Sequence, residues 1–458
     1  MASASRTSLQ HRVWRWHFIA GLMVVPFAII LAVTGAIYLF KPQFDAAVEA
    51  RINAGAAPLA GETLPADVLV SAALEAYPGS ALVRLILPSA DNDPTVEVET
   101  RGAGGPRTLW IDRSTGEILH QTATGSRFMN TVKDIHGTLL AGKRGSLVVE
   151  IMASWMIILI VTGLYLWWPR GTVWWRVFLP DFRANGGPRE TWRRVHGMTG
   201  AWIGGLVLAI LLSGLPWTEV WGDGYSRVKR LAGLEEPGQE WFVTLQSSDP
   251  HADHSLHAMH HDHSGMLWDQ GGEEAVTGIV PADDALALED ILKIARPQQY
   301  PPPVWVQPPR GENGVWTIRS MGPSRTDRVT VHYDRFTGEE ILRITFAHHN
   351  PVDRFVAQGV AFHEGQLLGP LNQLTGVLAA LGVILMSVSG AVMWWRRRPK
   401  GRLGLPPMPA DRRLTAGMVV LVIAFGIFLP MAGITLVAAL GGDLLYTQAR
   451  RMIRARQA

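Results

Sequence analysis

Four histidines occupy matched places in this chain, and their spacing bounds the chemistry open to it. His17 precedes Gly21 by four residues and the glycine of Thr34-Gly35 by eighteen; His196 precedes Gly200 by four and the glycine of Ser213-Gly214 by eighteen. Four and eighteen residues are about one and five helical turns, so each set shares one helix face. His136 precedes Gly142 by six, Gly163 by 27 and Trp167-Trp168 by 31, and His363 stands at the same offsets from Gly369, Gly390 and Trp394-Trp395. Identical offsets over more than thirty residues mark an internal duplication. Imidazole is the commonest metal ligand among side chains, and equivalent histidines in a duplicated unit can face one metal from two sides.

A low-spin haem iron takes two axial imidazoles, and histidine is a standard ligand for non-covalent haem. Glycine one turn from histidine gives a flat macrocycle room against the backbone, so Gly21 and Gly200 are expected beside it. Arg15 and Arg194 are placed to meet its carboxylates. The expected arrangement is two b-type haems, one held by His17 and His196, the other by His136 and His363. The bland reading is that histidines near helix ends are interfacial polar residues, and that Thr-Gly and Ser-Gly pairs merely pack helices.

The elements that carry these residues are membrane helices. Of 458 residues, 48% are apolar and 18% charged, a balance that suits a chain half embedded in lipid. Eighteen tryptophans fit membrane–water interfaces. No cysteine is present, which excludes disulfides, iron–sulfur clusters and covalently attached haem. Five stretches lack charge and are long enough to cross a bilayer: Leu22–Phe40, Ile151–Trp168, Gly197–Trp217, Leu367–Trp395 and Leu414–Gly442. The first lacks a small-residue cleavage site after it and reads as a retained anchor. Glu150 borders the second, as an interfacial carboxylate or as a functional or packing contact.

Arginines set the orientation. Arg6, Arg12 and Arg15 precede the first run; Arg170, Arg176, Arg183, Arg189, Arg193 and Arg194 lie between the second and third; Arg396, Arg397, Arg398, Lys400 and Arg402 follow the fourth. That side is expected to be cytoplasmic. The net charge of +3 and the flanking positions of the arginines argue for topology, not for nucleic-acid binding. Arg450, Arg451, Arg454 and Arg456 disagree if the fifth run spans once. Pro430 could break it, but the run is too short for two full spans, and one span is expected.

The polar segments, about 41–130 and 218–350, then lie in the periplasm and resemble each other. Pro65-Ala66-Asp67 and Pro281-Ala282-Asp283 each look like a helix start. Alternating strands follow, such as Thr95–Thr100 and Val315–Arg319. Each segment has a turn signal, Asp112-Arg113-Ser114-Thr115-Gly116-Glu117 and Asp334-Arg335-Phe336-Thr337-Gly338-Glu339. The expected fold is an α-helical integral membrane bundle of about five helices, internally duplicated, with two small α+β modules. Its expected pieces are helices over 12–40, 128–170, 193–218, 351–397 and 413–442, modules over 41–127 and 219–350, cytoplasmic loops over 171–192 and 398–412, and a tail over 443–458.

A histidine-rich tract lies in the second module: His251, His254, His257, His260, His261 and His263, with Met259 and Met266 nearby. It could bind metal weakly, or be a solvated insertion. His332 alternates within a strand and reads as structural. His120, His348 and His349 carry no spacing argument.

Taken together these residues resemble the PepSY-associated transmembrane family. The likeness rests on Arg15-Trp16-His17, on Ser126-Arg127-Phe128 leading to Ile135-His136-Gly137, on Gly163-Leu164-Tyr165-Leu166-Trp167-Trp168-Pro169-Arg170 and on Phe428-Leu429-Pro430. The segments ending Asp-Arg-x-Thr-Gly-Glu look like PepSY domains. The resemblance implies an inner-membrane, two-haem ferrisiderophore reductase, with His17, His136, His196 and His363 as ligands and a ferric siderophore or another metal complex as substrate. No G-x-G-x-x-G fingerprint is present, so quinol or a separate cytoplasmic reductase would supply electrons. The rivals are a permease component without redox chemistry and a PepSY-type regulatory or sensory protein.

Overall fold

Backbone amides in hydrocarbon have no water to bond, so long apolar runs must close their hydrogen bonds internally as helices. The computed structural model describes residues 2–59, 61–168, 178–179, 187–234, 245–247, 285–311, 313–322, 324–399, 404, 416–439 and 441. The histidine-rich tract 251–263 lies outside these residues. The chain opens with α1 (Ala2–Tyr38), α2 (Lys41–Asn53) and α3 (Ala66–Ala76). Strands β1 (Ala81–Leu87), β2 (Thr95–Gly102), β3 (Gly105–Asp112) and β4 (Ile118–Ala123) follow. Then come α4 (Phe128–Thr138), α5 (Gly142–Trp167), α6 (Pro188–Gly214), α7 (Glu219–Leu231) and α8 (Leu288–Ala295). The second strand set is β5 (Val304–Gln307), β6 (Trp316–Ser320), β7 (Val329–Tyr333) and β8 (Glu340–Thr345). Helices α9 (Pro351–His363), α10 (Pro370–Arg397), α11 (Ala416–Phe428) and α12 (Pro430–Ala439) close the described chain.

The chain divides into a helical unit, residues 1–38, 132–227 and 373–458, and a sheet-bearing unit, residues 39–131 and 228–372. In the helical unit α1 packs along α5, and α5 along α6. Four helices among the described residues are long and apolar enough to cross a bilayer: Leu9–Tyr38, Gly142–Trp167, Pro188–Trp217 and Pro370–Arg397. The fifth run is not one helix. It breaks at Leu429, because Pro430 has no N–H to give and begins a new helix. The Trp221 indole donates to the Phe428 carbonyl at 3.0 Å, satisfying a backbone group at that break.

Two expected helices are also interrupted. The stretch 128–170 divides into α4 and α5, because Leu139, Leu140 and Gly142 take positive φ (49°, 58° and 54°). The stretch 351–397 divides into α9 and α10, with Gly365 and Gly369 at positive φ. His136 and His363 therefore sit on short helices that precede the long ones. Glu150 is a helix cap: its carboxylate accepts from Val220 N–H at 2.9 Å and Trp221 N–H at 3.0 Å, in the first turn of α7, and it is 1% exposed.

In the sheet-bearing unit the two strand sets do not form separate sheets. They join along β1 and β5, with Leu85 opposite Val306 and Leu87 opposite Val304, into one antiparallel sheet ordered β4-β3-β2-β1-β5-β6-β7-β8. Helices α3 and α8 cover one face, over a core that includes Val98, Leu109, Ile291 and Val331. Matched residues are 222 positions apart (289 − 67, 334 − 112, 338 − 116). Asp67 does not serve its own helix; it accepts from Leu288 and Glu289 N–H of α8 at 3.1 and 3.0 Å, while Glu289 accepts from Ala66 N–H of α3 at 2.9 Å. Helix α8 starts at Leu288; Pro281-Ala282-Asp283, expected as a helix start, lies outside the described residues. Both turn signals fold alike: Gly116 and Gly338 take φ of 76° and 72°, and the side chains of Asp112 and Asp334 each accept from two turn amides.

The other face of the sheet is polar. Arg84 meets Glu99 at 2.5 Å, and Arg127 meets Glu97 at 2.7 Å. His332, 5% exposed, faces Thr317 across the strands at 3.0 Å, which makes it a structural histidine. Burial, then the Arg319 charge, lowers its pKa to about 4.

Two predictions follow from these contacts. Replacing Glu150 by Leu strands two buried amides and should cost about 2–3 kcal/mol, seen as a lower Tm in detergent, while Glu150→Gln should cost less. Native His332 stays neutral down to about pH 4, whereas the unfolded side chain takes a proton near pH 6.5. Stability present above pH 6.5 should therefore fall as pH drops towards 4, by up to about 3 kcal/mol. Melting His332→Gln alongside the native chain at pH 7.5 and 5 should show a smaller pH effect in the variant.

Candidate functional site

Histidine enters a lipid-facing helix only where its polar nitrogens find partners. His17 on α1 and His196 on α6 are brought together, with ring centroids 6.4 Å apart and planes at 87°. His17 Nδ1 lies 2.9 Å from Thr162 Oγ1 on α5. His196 Nδ1 lies 3.0 Å from both Ser389 Oγ and the Met386 carbonyl on α10. Each ring thus has Nδ1 engaged by a neighbouring helix. Two nitrogens bound to one metal at about 2 Å each put imidazole centroids roughly 6 Å apart when the rings meet it from opposite sides. The observed 6.4 Å separation fits a two-imidazole donor set.

A glycine stands beside each ring, and at Gly163 its missing Cβ makes room. A Cβ at Gly163 would lie 3.1 Å from His17 Cε1, and one at Gly390 would lie 3.7 Å from His196 Cε1. Spacing alone marked these two glycines only as landmarks of the repeat. The glycines expected to make room, Gly21 and Gly200, face Leu159 and Met386, at 3.9 and 3.3 Å from a built Cβ. Thr162 and Ser389 were missed, since a hydroxyl in an apolar helix has no spacing signature of its own; its place just before a repeat glycine was the available signal.

The second couple is divided between the two units. His136, in the helical unit, lies with Nδ1 3.1 Å from Thr34 Oγ1, and a Cβ at Gly35 would be 3.0 Å from its Cε1. His363 ends α9 in the sheet-bearing unit and is half-buried. Arg15 is half-buried on α1, and Arg194 pairs with Glu190 at 3.2 Å. His348 closes a capping box with Thr345, and His120 packs against Trp110. Among the described residues no group of three or more His, Cys, Asp or Glu could hold a metal ion.

Long apolar helices that carry half-buried histidines, together with a separate antiparallel sheet, define a multi-pass membrane protein with a β module. The family resemblance holds over most of the length. The chain belongs to the PepSY-associated TM region family, which it matches over residues 14–397. No curated protein matches it.

The close fit at Gly163 is open to test. Gly163→Ala should push a methyl into the His17 ring and lower Tm, at a cost of about 1–3 kcal/mol. Gly205→Ala, where nothing lies within 4 Å of the new Cβ, should leave Tm unchanged or raise it.

Proposed function

We propose that this chain is an inner-membrane two-haem reductase. In this reading it passes electrons from the cytoplasmic side to a ferric siderophore, or another metal complex, in the periplasm. The observation that carries the reading is the His17–His196 couple: two imidazoles on different helices, 6.4 Å apart, each tethered through Nδ1. Family membership supports it. The sheet-bearing unit, read as two fused PepSY modules, offers the periplasmic docking surface.

Bound b-type haem supplies reversible one-electron transfer between ferric and ferrous iron. The residues' part is to hold and orient it. His17 and His196 would ligate one haem; His136 and His363 would ligate the other. Arg15 and Arg194 would meet propionates near the cytoplasmic surface. At the far end Fe(III) takes one electron per iron; hard oxygen ligands that grip Fe(III) hold Fe(II) more weakly, so reduction releases the metal. Quinol or a cytoplasmic reductase supplies the electron.

Purified protein from haem-replete cells should be coloured, with two haems per chain and a reduced-minus-oxidised α-band. His17→Ala should remove one of them and slow ferric-siderophore reduction at least tenfold. Colourless native protein would overturn the proposal, and retention of both haems by His17→Ala would overturn the ligand assignment.

A further inference from the structure

Three of the four histidines share one local arrangement on their neighbouring helices. A hydroxyl residue faces Nδ1, and the residue directly after it is a glycine beside the imidazole edge, in tight approach for His17 and His136. Thr162-Gly163 does this for His17, Ser389-Gly390 for His196 and Thr34-Gly35 for His136. We infer that these hydroxyl–glycine pairs are positioning seats. Each fixes Nδ1 as the protonated nitrogen and leaves Nε2 as the ring's outward lone pair.

The protons can be assigned from the partners. Thr162 Oγ1 lies 2.7 Å from the Ile158 carbonyl, and Thr34 Oγ1 lies 2.7 Å from the Ile30 carbonyl. A carbonyl only accepts, so each hydroxyl spends its single proton there and turns a lone pair to the histidine. Nδ1 must then be the donor. For His196 the assignment is doubly fixed. Its Nδ1 lies 3.0 Å from the Met386 carbonyl itself, and Ser389 Oγ donates to that same carbonyl at 2.9 Å. In a low-dielectric site the other tautomer would set lone pairs against each other. Ser213-Gly214 holds the place of Thr34-Gly35 in the other half of the duplication.

The seats act through the histidines they hold. An Nδ1–H given to an acceptor raises the basicity of Nε2 and fixes the ring's rotation, as outer partners of metal-bound histidine do. The consequence for a bound iron rests on the haem reading; the tautomer does not.

The test separates the two. Solid-state NMR of haem-free, 15N-histidine-labelled protein in lipid, with signals assigned through His17→Gln and His196→Gln, should show Nδ1–H and an unprotonated Nε2 for both rings. Nε2–H would overturn the inference, whether or not the protein binds haem. In haem-loaded protein, Thr162→Val should weaken retention of one haem by about 10–100-fold and move its midpoint potential upward, and Thr162→Ser should restore both. Native haem affinity and potential in Thr162→Val would also overturn it. Native protein that binds no haem defeats the functional reading alone, because the NMR result still decides the seats.

Discussion

An imidazole half-buried among apolar helices must find a hydrogen-bond partner on a neighbouring element. That constraint organises the helical unit. The acceptor comes from a neighbour: α5 for His17, α10 for His196 and α1 for His136. A glycine follows the hydroxyl residue each time, and a Cβ at Gly163 or Gly35 would crowd the ring beside it. The contact of α1 with α5 therefore orients a histidine as well as burying the cluster around Val24, Ala28 and Met152.

The sheet-bearing unit solves a different problem by the same duplication. A four-stranded sheet with one helix leaves an open edge at its first strand. Here the two copies close that edge against each other along β1 and β5, and their helices exchange caps through Asp67 and Glu289. Each carboxylate sits at the positive end of the other copy's helix, so neither helix start is complete without its counterpart. The pairing turns two small modules into one hydrophobic core.

Helix breaks in this chain are placed with their backbone groups accounted for. The Phe428 carbonyl at the Pro430 break receives the Trp221 indole, and the first amides of α7 receive the Glu150 carboxylate. Charge-free length is a measure of hydrophobicity and does not register such breaks, so the fifth run read as one helix. The turn at Leu139–Leu140 was equally hidden: leucine at positive φ carries no compositional mark, whereas glycine at 116 and 338 announced its turns.

The sequence by itself determined the long apolar helices, the duplication, the strands and turns of both modules, and the matched places of the four histidines. These follow from period, charge and exact offset, which are local or self-referential properties of the chain. Only the tertiary structure decided that the two strand sets share a sheet, that Asp67 caps a helix 221 residues away, and that Thr162 and Ser389 hold His17 and His196. Those partners lie more than a hundred residues apart. No local pattern specifies which of many hydroxyls or carboxylates a distant amide or imidazole will meet; packing of whole helices and strands chooses it.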